Sequence, residues 1–63
     1  MIAKVNTKSN YSGLNGKWLN VVEIVNTRVT CKVYNHEVGK DITVDFSLSE
    51  VVAMDSTKTI NQL

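Results

Sequence analysis

Between Lys17 and Phe46, apolar side chains recur at every second position, interrupted at Asn20 and at two polar turns. Successive side chains of a strand point to opposite faces, so this period of two marks strands with one face buried. The pattern predicts three consecutive antiparallel strands, with a tight turn at Asn26-Thr27 and a second turn inside His36–Gly39. Folded about those turns, Ile24 faces Val29, Val22 faces Cys31 and Asn20 faces Val33. In the second hairpin Val29 faces Phe46, Cys31 faces Val44 and Val33 faces Ile42. Both hairpins place one apolar row on one side, which is what fixes a register. In the first of these strands Trp18, Asn20, Val22 and Ile24 are expected to point inward, and Leu19, Val21, Glu23 and Val25 outward. Asn20 departs from the apolar row and marks a bend or bulge near the strand's start. Both faces are partly apolar, as suits a strongly curved strand that serves two parts of a barrel.

The flanking segments are weaker in pattern. Met1–Asn6 sets Ala3 and Val5 against Ile2 and Lys4 and reads as a short first strand. Thr7–Gly16 is rich in Ser, Asn and Gly and reads as a loop, with Gly13 and Gly16 in backbone conformations closed to other residues. A loop of that length on a small scaffold is a place to look for function. The connection Asn35–Lys40 predicts a four-residue hairpin loop with Gly39 left-handed. Ser47 followed by Glu50 has the spacing of a capping box for one helical turn. Val51–Met54 returns to strand. Residues 55–63 are polar and aperiodic: a frayed tail, or at most a helical turn with Ile60 and Leu63 on one side. The expected organisation is a single all-β domain over residues 1–54 and a polar tail over 55–63.

Length narrows the functions available. A chain of 63 residues forms one domain. Such a domain buries only about 60% of its unfolded surface, so most Val, Ile, Leu and Phe side chains are needed in the core. Little remains to line a deep substrate cavity, which weighs against an enzyme. The net charge of +1 predicts no partner by itself. Charge is unevenly spread, with six cations against two carboxylates in residues 1–40 and one against four in residues 41–63. Such asymmetry marks either a basic face or strands that pair charge across a sheet. The single cysteine, Cys31, lies on the inward row and reads as a small buried hydrophobe. One unpaired thiol fits a reducing, cytoplasmic setting. No apolar run reaches the ~20 residues of a membrane span, and the N-terminus lacks a signal-peptide apolar core.

Candidate chemistry is sparse. His36 is the only histidine and lies at a hairpin tip beside Glu37, without the pocket and partner that a general base requires. Asp41, Asp45 and Asp55 lack calcium-loop spacing, and GLNG lacks the spacing and Lys-Ser/Thr pair of a phosphate loop. No catalytic, metal or cofactor residue is assigned, and a non-enzyme is expected. Binding is better supported. Tyr11, Trp18 and Tyr34 are large aromatic anchors, and Arg28 and Lys32 accompany them. Aromatics and arginine are enriched where proteins meet. Trp18 remains open between core and surface. Leu19, Val21 and Tyr34 on the outer face would form an apolar patch suited to self-association. Lys17, Arg28 and Lys32, with Tyr34 nearby, would offer charge and a stacking ring to single-stranded nucleic acid. Glu23, opposite Thr30, dilutes that patch.

The segment GLNGKWLNVVEIVNTRVTCKV, residues 13–33, is similar to the small barrels of KOW and Tudor type. These have glycines in the first long loop, then an apolar strand, a tight turn and a second apolar strand. FSLSEVVAM resembles their short helical turn leading into the closing strand. The resemblance covers residues 3–54, in pattern more than in identity; Leu19 and Asn20 stand where KOW barrels carry a further glycine. It implies a five-stranded SH3-like small β-barrel with one short helical turn before the last strand. It also implies a contact wall formed by the first long loop, and binding to RNA, ribosomes or transcription machinery. Three functions are therefore expected, in this order. The first is a binding module that contacts a protein partner through Tyr11, Trp18, Arg28, Lys32 and Tyr34. The second is a KOW-like contact to RNA or single-stranded nucleic acid through Lys17, Arg28 and Lys32. The third is a structural homodimer.

Overall fold

The structure, a computed structural model, describes residues 1–60. It contains five strands: β1 (Ile2–Val5), β2 (Trp18–Val25), β3 (Arg28–Asn35), β4 (Lys40–Ser47) and β5 (Val51–Asp55). Short 3-10 turns occupy Ser12–Leu14 and Leu48–Glu50. All neighbours pair antiparallel in one sheet of order β4-β3-β2-β1-β5. Among the described residues no ladder joins β4 to β5, so the sheet is open and these two strands are its edges.

The β3–β4 hairpin has the expected register: Val29↔Phe46, Cys31↔Val44 and Val33↔Ile42. Its four-residue loop closes as the sequence predicts. Gly39 has φ +70°, and its N–H donates to the Asn35 carbonyl at 2.8 Å. The Asn35 side-chain oxygen accepts from the N–H of Glu37 at 2.8 Å, so one amide holds the turn from inside.

The β2–β3 hairpin matches only near its turn. Val25↔Arg28, Ile24↔Val29 and Glu23↔Thr30 pair as expected around Asn26, which takes φ +53°. The register then slips to Val21↔Cys31 and Asn20↔Lys32, because Val22 is an extra residue, a β-bulge. This corrects the predicted inward row. Leu19 is 3% exposed and belongs to the core, Val21 packs against it, and Trp18 and Asn20 face outward. The pairings Val22–Cys31 and Asn20–Val33 do not form. The proposed outer apolar patch accordingly loses Leu19 and Val21. From β2 only Leu19 and Val21 reach the core; Val22 and Ile24, expected inward, are 57% and 42% exposed, Val22 because it is the bulged residue and Ile24 because it lies beyond the core cluster.

β1 lies between β2 and β5, with Ala3↔Leu19 and Lys4↔Trp18 on one side and Ala3↔Met54 and Lys4↔Ala53 on the other. A second bulge falls at Val52, after which Val5 pairs with Val51. The inner face gathers Val5, Leu19, Val29, Cys31, Val44 and Phe46, with Leu14, Val21, Val33, Ile42 and Val51 around them. Full burial of a Val, Leu or Phe in this set contributes about 1.5–3 kcal/mol, and the partly buried residues around it contribute less.

The connections fold onto this core. The capping box forms: Ser47 Oγ accepts from the Ser49 N–H at 3.4 Å, and Glu50 Oε1 accepts from the Ser47 N–H at 2.8 Å. The Leu48 N–H donates to the Thr27 carbonyl at 2.7 Å, which brings this turn against the β2–β3 turn. In the long loop, Asn15 brackets Thr7. Its Oδ1 accepts from the Thr7 N–H at 2.7 Å and its Nδ2 donates to the Thr7 carbonyl at 2.9 Å. Thr7, 3% exposed, donates its hydroxyl to Glu50 Oε2. Gly16 takes φ +79° as expected, whereas Gly13 lies within the 3-10 turn and needs no positive φ.

The tail is not frayed as far as Ile60. Asn20 Oδ1 accepts from the Ile60 N–H at 2.8 Å, and Asn20 Nδ2 donates to its carbonyl at 2.6 Å. The expectation for Leu63 lies outside the described residues. Among the described residues no helix is long and apolar enough to cross a membrane.

Candidate functional site

Two polar segments rise above one end of the inner face: the β1–β2 loop and the β3–β4 hairpin. The 3-10 turn at Ser12–Leu14 holds the first in place, with the Leu14 N–H donating to the Tyr11 carbonyl at 2.9 Å. The Asn35 turn holds the second. Between them lies an open cleft of about 380 Å³. Leu14, Val33, Ile42 and Val44, all members or neighbours of the core, supply its apolar lining. The upper walls are polar and aromatic: Asn10 and Tyr11 from the loop, and Tyr34, Asn35, His36 and Glu37 from the hairpin.

Tyr11 is 44% exposed, so the loop presents a ring that it does not bury. Tyr34 and His36 stack edge to face at 4.8 Å between ring centroids and 74° between planes. That contact stiffens the hairpin wall. An apolar lining with a few convergent polar groups is the usual make-up of a ligand cleft, and its volume falls in the common range of ~300–1,000 Å³.

The structure brings Tyr11 and Tyr34 to this cleft and leaves the other expected contact residues elsewhere. Trp18 is half-buried on the outward face of β2, with Lys4 Nζ 5.0 Å from its ring centroid. Arg28 and Lys32 lie on the outward row of β3, in line with Thr30. Lys17 is exposed just before β2. Lys17, Trp18, Arg28 and Lys32 thus do not line the cleft with Tyr11. Carboxylates interrupt the outward row itself. Thr30 pairs with Glu23 on β2 and with Asp45 on β4, and its hydroxyl donates to Asp45 Oδ1 at 2.6 Å.

His36, Glu37, Asn10 and Leu14 line the cleft although the sequence pattern did not single them out as contact residues. The signal for His36 and Glu37 was their place at the tip of a hairpin whose strand ends in Tyr34. For Leu14 it was an apolar residue isolated in a polar loop. Cys31, at the centre of the core, has its thiol pKa pushed up by burial and is no nucleophile at neutral pH.

No protein-family model, curated protein or solved structure matches this chain.

Proposed function

We propose that this chain is a non-catalytic binding module, built as an SH3-like small barrel, that grips an extended segment of a partner protein. The observation that carries this reading is the cleft between the β1–β2 loop and the β3–β4 hairpin, with Tyr11 on one wall, Tyr34 and His36 on the other and Leu14, Val33 and Ile42 beneath. An extended backbone suits a cleft with Asn10 on one wall, since an amide side chain both donates and accepts, and with Asn35 on the other, whose oxygen is taken by its turn and whose Nδ2 is a donor. Aromatic rings held by neighbours contribute contact area with little entropy to lose on binding. The strand order β4-β3-β2-β1-β5, with a 3-10 turn before the last strand, supports the small-barrel reading.

The test is selection from a random peptide library displayed against the intact protein. Tyr11→Ala and Tyr34→Ala are each expected to weaken a selected peptide by roughly tenfold or more, the scale of a contact hot spot. Thermal unfolding should remain cooperative in Tyr11→Ala, whose ring is largely outside the core. Peptides that bind both variants as tightly as the parent would remove the cleft from the function.

A further inference from the structure

The outward face of the sheet carries a second built contact. Ile2 is 5% exposed yet stands outside the core cluster, because its β2 partner is Asn20 and its β5 partner is Asp55. Asp55, Ile2 and Asn20 form one rung across β5, β1 and β2, facing away from the core. The chain leaves β5 at Asp55 and crosses back over this rung. Asp55 Oδ1 accepts from the Thr57 N–H at 2.9 Å and from its hydroxyl at 2.6 Å, which starts the crossing. Asn20 ends it, gripping both backbone groups of Ile60. Two inter-strand spacings are about 10 Å, a distance that the intervening residues span easily.

Asn20 here does what a neighbouring strand would do: it offers one donor and one acceptor to a single residue's backbone. Such a grip reads an extended main chain and is indifferent to which chain supplies it. The strap is also weakly held. Two hydrogen bonds at Asn20, two local ones at Asp55 and a half-buried isoleucine barely offset the entropy of ordering residues 56–60. Once it lifts, Ile2 is bare beside the outward ring of Trp18.

We propose that the outer face of β1 and β2, at Ile2, Trp18 and Asn20, is a docking track for an extended segment of a partner protein, and that residues 56–60 cover it as a displaceable strap. The strap is the template for the partner. It carries an aliphatic residue at the Ile60 position, preceded by small hydroxyl residues such as Ser56, Thr57 and Thr59. This site is separate from the Tyr11–Tyr34 cleft and does not depend on it.

The experiment uses the full chain with Ile60→Ser, and a synthetic peptide of residues 55–63 as the probe. Binding is followed by the emission of Trp18, the sole tryptophan, and by NMR shifts of the amides of Ile2 and Asn20. Ile60→Ser is expected to bind the peptide at least tenfold tighter than the parent chain, whose own strap competes at high effective concentration. Equal affinity in the two chains, no binding to either at about 1 mM peptide, or shifts at Tyr11 and Tyr34 instead, would overturn the proposal. Hydrogen exchange of the unmodified protein gives a check that needs no variant. The Ile60 amide is expected to exchange at least ~100-fold faster than that of Cys31. Equal rates would mean that the strap opens only when the whole protein unfolds, and the track would then be no docking site.

Discussion

Glu50 holds Asn6, Thr7 and Ser47 through its side chain and its backbone. Its Oε1 accepts from the Ser47 N–H, its Oε2 from the Thr7 hydroxyl, and its backbone carbonyl accepts from the Asn6 N–H at 2.8 Å. One residue thereby ties the end of β4 to the start of the long loop. The Thr7 hydrogen bond first, and the Ser47 backbone second, hold its carboxyl below the ordinary value of 4.5. A carboxylate whose pKa is lowered by folding stabilises the protein above its unfolded pKa, and that contribution is lost as pH falls through the folded value. Glu50→Gln has no charge to lose. The gap in Tm between the parent and Glu50→Gln is therefore expected to be full near neutral pH and to close as pH drops below 4.5. Asp55, lowered chiefly by the Thr57 hydroxyl, titrates alike in both proteins and cancels. A gap that stays constant from neutral pH to acid would mean that the ionised carboxylate contributes nothing beyond its shape.

At the scale of elements, the two bulges decide which side chains meet the core, and they make a deletion informative. Removing Val22 would leave Leu19 and Val21 inward on one side and Ile24 inward on the other, because Val22 is the residue with no partner. Removing Thr30 from the unbroken β3 ladder would turn half of that strand's inward row to solvent. Deletion of Val22 is expected to leave a cooperative urea transition, lower in midpoint by the lost twist, and deletion of Thr30 to abolish it. If both deletions unfold the chain alike, the bulge is required by the fold and is not a tolerated insertion. The same geometry explains what the sequence pattern conveyed and what it did not. The β3–β4 register was legible because both strands alternate cleanly over their whole length. Phe46, Val44 and Ile42 have one apolar row to match, and a slip would expose it. β2 was misread because it carries two apolar rows, and nothing local says where one hands over to the other. Only Asn20, polar in an apolar row, hinted at the change. The partner of Asn20 lies forty residues away, at Ile60, so its role was not visible from neighbours in sequence. The cleft was half legible for a similar reason. Tyr11 and Tyr34 stood out by type, but their meeting depends on how a loop and a hairpin pack.

The whole molecule has a charge layout that bears on nucleic acid. Arg28 and Lys32, on the outward row of β3, are about 13 Å apart along the strand. Thr30 lies between them, with Glu23 on one side and Asp45 on the other, each about 7 Å along the strand from a cation. With the ~5 Å between strands the separation is about 8 Å, comparable to the ~8 Å screening length of physiological salt, so the four charges partly cancel in the field that a phosphate would meet. Lys4, beside Trp18, lies on the same outward face two strands from Lys32, and Lys17 precedes β2. The uneven charge along the chain thus becomes mixed charge across β2, β3 and β4, because the acidic strand β4 lies against the basic strand β3. The intact protein is expected to bind a single-stranded oligonucleotide with a Kd on the order of 10⁻⁴ M or weaker near physiological salt, with a shallow salt slope. Glu23→Gln combined with Asp45→Asn removes both carboxylates and should tighten that binding and steepen the slope. Micromolar binding by the parent chain, falling sharply with salt and lost in Arg28→Ala with Lys32→Ala, would reverse the order of the two readings. It would make the outward face of β3, rather than the Tyr11–Tyr34 cleft, the working surface of the molecule.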